Sequence, residues 1–63
     1  MKLPIRLDQF IKRKDIAQTG GHAKILIQNG EICVNSEVEL RRGRKLVRGD
    51  VVTYGGQSWE VSS

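Results

Sequence analysis

Apolar residues recur with a helical period along the first half of the chain and with a period near two along the second. In "PIRLDQFIKRKDI", Leu7, Phe10 and Ile11 stand at i, i+3 and i+4, which predicts a short amphipathic helix. Arg6 and Arg13 are expected near one another on a different face of that helix, with Lys12 beside them. Thr19 suits the N-cap of a second helix, in which Ala23, Leu26 and Ile27 repeat the spacing and Asn29-Gly30 supplies the stop. After Gly30, "EICV" reads as a strand, Asn35-Ser36 as a tight turn and "EVEL" as the returning strand. "KLV" resumes extended structure, "RGD" turns the chain into "VVTY", and Gly55-Gly56 marks a two-residue hairpin before "QSWEV". Trp59 and Val61 alternate onto one face, the mark of a half-buried strand, and Tyr54 and Trp59 read as core packing rather than as stacking surfaces. Residues 1–63 are therefore expected to form a single α+β domain: two short N-terminal helices, then a small, mostly antiparallel β-sheet.

Length and composition narrow what such a domain can do. Sixty-three residues with 38% hydrophobic content give one thin core. No stretch approaches the roughly 18 apolar residues of a membrane span, and no signal-peptide core is visible, so a cytoplasmic, monomeric protein without membrane contact is expected. The lone cysteine, Cys33, forbids an internal disulfide, and with one histidine it builds no thiolate zinc site. Its apolar setting reads as a buried thiol acting as a small hydrophobe. Neither a metal nor a cofactor is expected.

Charge changes the picture. Eleven Lys and Arg against seven Asp and Glu give a net charge of +4 and a pI near 9.7, in the range that suggests nucleic acid. The run "RRGRKLVR" holds Arg41, Arg42, Arg44, Lys45 and Arg48 without an acid, and Lys12, Arg13 and Lys14 form a second cluster. Glu31, Glu37 and Glu39 precede the long run, so the charges are segregated along the chain. Planar guanidinium groups suit bidentate phosphate contacts.

Gly20 and Gly21 open the second helix although glycine is a poor helix former. Either they build a turn, or they let a phosphate approach the unpaired first amides of the helix, with His22 and Lys24 as added donors. No nucleotide-binding glycine loop occurs, and His22, Asp8 and Cys33 form no catalytic set with local logic. "RGD" is read as a turn only. No catalytic residue is assigned.

The run "RLDQFI…TGGHAKILIQNGEICVNSEVELRRGRKLVRGDVV", from Ile5 to Val52, resembles the S4-like RNA-binding domain, the αL motif. The marks are "RLD" opening the first helix, "A…LI..G" running into "I.VN", and the late "GD". The "TGG.AK" and "RRG.K" character is similar to small stand-alone bacterial members. The resemblance implies an αL-type domain that binds structured RNA, ribosomal or transfer RNA, in ribosome assembly or translation, through one basic face. On that face it implies Arg6, Lys12 and Arg13, then Gly20, Gly21, His22 and Lys24, then Arg41, Arg42, Arg44 and Lys45. Two departures stand out. Many members have Ser-Arg where this chain has Thr19-Gly20, and Asn-Gly where it has Asn35-Ser36. A protein–protein adaptor that docks its basic loop on an acidic partner is the alternative reading.

Overall fold

The computed structural model describes residues 1–62. Two helices, α1 (Leu7–Arg13) and α2 (Gly20–Gln28), carry the apolar stripes read from the sequence. Leu7, Phe10 and Ile11 of α1 and Ala23, Leu26 and Ile27 of α2 are buried. They meet Ile32, Val34, Leu46, Val52 and Val61 in one core, with Tyr54 and Trp59 packed at its margin.

Both helices end in the same hydrogen-bonded device. At α2 the Gly30 amide donates to Ile27 O and the Glu31 amide to Leu26 O, with Gly30 at φ 76°. This is a Schellman motif, and the left-handed position takes glycine at no steric cost. At α1 the Asp15 amide donates to Lys12 O and the Ile16 amide to Ile11 O. Here Asp15 occupies the left-handed position, at φ 60°.

Six short strands complete the fold: β1 (Ile5–Arg6), β2 (Cys33–Val34), β3 (Glu37–Val38), β4 (Lys45–Leu46), β5 (Val51–Tyr54) and β6 (Gln57–Glu60). They make two antiparallel sheets, β1 with β4, and β3-β2-β5-β6. The α+β expectation holds, with two corrections. Ile5 and Arg6 are extended rather than helical, and "KLV" joins them instead of the larger sheet, through the register Ile5↔Leu46 and Arg6↔Lys45. The helix starts only at Leu7 because that pairing holds the preceding residues extended.

In the larger sheet Val34 pairs with Val52 and both are buried. Alternation puts Cys33, Val38, Thr53 and Ser58 on the other face. Cys33 is accordingly half-buried, not buried as the sequence suggested. Of "EVEL" only Glu37 and Val38 are strand, although the Glu39 amide still donates to Ile32 O.

The "RGD" turn has a structural role. Asp50 Oδ2 accepts the Val47 amide at 2.9 Å, and Oδ1 accepts Asn35 Nδ2 at 3.1 Å. These bonds, the backbone one foremost, hold the Asp50 carboxyl below the usual carboxylate range. Asn35 and Ser36 form the β2–β3 turn with φ 53° and 70°, the left-handed pair that favours Asn-Gly. Ser36→Gly is expected to stabilise the domain by about 0.5–1 kcal/mol, because it relieves the Cβ at positive φ. That corresponds to a melting temperature about 2–8 °C higher. An unchanged or lower melting temperature would show that the serine costs nothing there.

Candidate nucleic-acid interface

The β1–β4 pairing sets Arg6 directly across from Lys45. Immediately beyond it, the first two amides of α1 find acceptors in the basic loop. Leu7 donates to Arg44 O at 2.8 Å and Asp8 to Arg42 O at 3.1 Å. The loop is thereby fastened across the start of α1, which satisfies amides that would otherwise lack partners. Asp8 lies in the first turn, where its charge suits the helix dipole, and it pairs with Arg6 at 3.1 Å. Arg6, Arg42, Arg44 and Lys45, distant in sequence, are thus neighbours in the fold.

Glu39 lies inside this arrangement, not apart from it. Its carboxylate is buried and accepts Arg41 Nε at 3.0 Å, Arg41 Nη2 at 3.3 Å and Arg44 Nη1 at 2.9 Å. It also accepts the Arg41 amide at 3.1 Å. The Arg41 and then the Arg44 hydrogen bonds hold the Glu39 carboxyl down at about 2, against the opposing effect of burial. Arg41 is correspondingly pushed up by Glu39. The acid therefore orders the loop and partly neutralises it. Arg42 and Lys45 remain exposed, with no side-chain partner among the described residues.

At the start of α2, Thr19 caps as expected. Its Oγ1 accepts the His22 amide at 3.0 Å, and its carbonyl accepts the Ala23 amide. The His22 ring reaches back, with Nδ1 accepting the Gln18 amide at 3.1 Å. A neutral ring in this geometry carries its proton on Nε2 and presents it outward. The amides of Gly20 and Gly21 donate to no acceptor among the described residues.

These two glycines have no internal reason to be glycine. Neither has a positive φ. A Cβ at Gly20 would meet nothing within 4 Å, and one at Gly21 only Thr19 Oγ1 at 3.9 Å. A sharp turn therefore does not explain them, whereas two open amides left unshielded do suit an anion. Lys24, five residues beyond the Thr19 cap, is exposed.

Lys12 and Arg13 occupy the last turn of α1, where cations suit the dipole. They line an open groove of about 520 Å³ together with Lys2, Pro4, Ile5 and Gln9. Arg6 does not line it, and its guanidinium pairs instead with Asp8 at the start of α1. The expectation that Arg6 and Arg13 share a face of one helix does not hold, since Arg6 belongs to β1 and α1 begins at Leu7. Sequence reasoning passed over Gln9, which lies one turn before Lys12 and Arg13 on α1, and Lys2, which only the tertiary fold brings to them. It also passed over Glu39, because alternation in "EVEL" reads as Val38 and Leu40 turned inward, whereas the structure exposes both and buries Glu39 against its cationic partners.

Among the described residues, no group of three or more His, Cys, Asp or Glu side chains could hold a metal ion. No helix among the described residues is long and apolar enough to cross a membrane.

Comparison with known proteins finds a match to the S4 domain family over residues 2–62. The "Probable ribosome maturation protein RlbA" of Bacillus subtilis is 50% identical over 52 residues, covering 82% of this chain and 73% of that protein. The "Putative RNA-binding protein YbcJ" of Escherichia coli is 33% identical over 57 residues, covering 90% of this chain and 81% of that protein.

Proposed function

Because the chain belongs to the S4 domain family, we propose that it is a non-catalytic RNA-binding protein whose target is structured RNA, ribosomal RNA first among the candidates. The observation that carries the reading is the pair of open amides at Gly20 and Gly21, on residues whose backbone and surroundings do not require glycine. Cations without a side-chain partner among the described residues accompany them: Lys12, Arg13, Lys24, Arg42 and Lys45. Amides and unpaired cations together form a surface suited to phosphates rather than to base edges. An RNA double helix offers mainly its backbone and shape, so selectivity would come from how phosphates are spaced. The relatives' names, ribosome maturation protein and RNA-binding protein, favour a role in ribosome assembly.

The test is titration of a hairpin RNA with the chain at graded salt. Neutralising about four phosphates gives a slope of log K against log salt of about −3 to −4. A flat dependence, or no binding at low salt, would remove the proposal. An acidic protein partner captured by the same loop, with RNA ignored, would favour the adaptor reading instead.

A further inference from the structure

We propose that the groove between the N-terminal segment and α1 seats a single unpaired nucleotide of the RNA. The inference rests on the RNA-binding reading and makes it specific about the kind of RNA.

The groove's walls have the three chemistries that a nucleotide needs. Lys2, Lys12 and Arg13 supply cations, and none of them has an ion pair or side-chain hydrogen bond among the described residues. This separates them from Arg6, Arg41 and Arg44, whose guanidinium groups are already bound to Asp8 or Glu39. No acid lines the groove. The exposed Pro4 provides an apolar surface for a base, and the Gln9 amide offers a donor and an acceptor side by side, as a base edge requires.

Size agrees with the assignment. About 520 Å³ lies within the range of small-molecule sites and has room for one nucleotide. A base still stacked in a duplex cannot enter such a groove. A bulged or junction nucleotide can, while the neighbouring stem lies on the loop and the start of α2. Recognition of splayed bases beside a helix is a general way in which proteins read RNA.

The experiment compares three RNAs with the full chain at one salt concentration: a fully paired hairpin, the same hairpin with one bulged adenosine, and the same bulge without its base. The bulged hairpin is expected to bind about tenfold tighter than the paired one, in line with the worth of one seated base. Removal of the base should abolish most of that gain. Gln9→Leu, at an exposed position, should cut the preference for the bulge to less than about threefold.

Equal affinity for all three RNAs would overturn the groove assignment and leave RNA binding intact. Equal affinity for the two bulges would also overturn it, since the gain would then come from a bent backbone. A preference that survives Gln9→Leu would place the nucleotide elsewhere. If no RNA binds even at low salt, the RNA-binding reading fails first, and the groove with it.

Discussion

Gly21→Val is expected to give a folded protein of nearly unchanged stability that binds hairpin RNA at least about tenfold more weakly. The two halves of this expectation have separate causes. Valine is a somewhat better helix former than glycine, by a few tenths of a kcal/mol. Its Cβ would have ordinary contact with Thr19 Oγ1 at 3.9 Å, so the fold has no reason to resist it. The RNA does have one. An isopropyl group at this position would cover the open amides of Gly20 and Gly21, and a phosphate would lose its place at the positive end of α2.

Gly20→Ala separates sterics from propensity. Alanine should raise helix stability by up to about 1 kcal/mol, while its methyl group hinders an approaching oxygen less than valine does. Stability kept or raised in both variants while affinity falls, more steeply in Gly21→Val, is what a site built for a ligand produces. Urea unfolding and fluorescence anisotropy with labelled RNA supply the two readouts. Because net charge does not change, the salt slope should lose only the one phosphate held there. RNA affinity retained in a folded Gly21→Val protein would reduce the glycines to accidents of sequence.

How far the sequence discloses this molecule depends on how local each feature is. Leu7, Phe10 and Ile11, like Ala23, Leu26 and Ile27, mark helices legibly because each stripe is complete within a few residues. Thr19, Gly30 and Gly55-Gly56 are equally local: a cap, a stop and a hairpin, each acting within its own turn. Strand β1 could not be read. Two residues show no period, and the partner that makes them a strand, Lys45–Leu46, lies far along the chain.

The groups that fit a ligand divide in the same way. Gly20, Gly21, His22 and Thr19 lie together because they are consecutive, so the sequence points to them directly. The groove exists only after the N-terminal segment has been pinned to β4 and laid against α1. The basic loop is an intermediate case. Its cations are plain in "RRGRK", but their electrostatic value depends on an acid two positions upstream that faces them rather than solvent.

That acid gives the other large expected effect. Glu39→Gln is expected to destabilise the domain by about 1–3 kcal/mol at neutral pH, the usual worth of hydrogen bonds to a charged group. The loss should depend on pH with a definite sign. The Glu39 carboxyl is held at about 2 in the folded chain against an ordinary value of 4.5, so the folded state favours its ionised form. The resulting stabilisation is fully present above pH 4.5, is lost as pH falls through the interval from 4.5 to about 2, and is absent below. Wild type and Glu39→Gln should therefore differ most at neutral pH and converge near pH 2 in urea unfolding. Parallel curves across that interval would show that the carboxylate is not the source.

RNA binding should respond in the opposite direction at low salt. With the acid neutral, Arg41 and Arg44 are no longer bound to a carboxylate and become available to phosphates, and the net charge rises by one. The slope of log K against log salt should then steepen by about one to two units. Discrimination between folded and single-stranded RNA should fall, because the loop that presents these cations has lost the group that orders it. A carboxylate placed among the arginines thus exchanges raw electrostatic affinity for a fixed spacing of charge. Spacing is what a protein that reads RNA by shape has to keep.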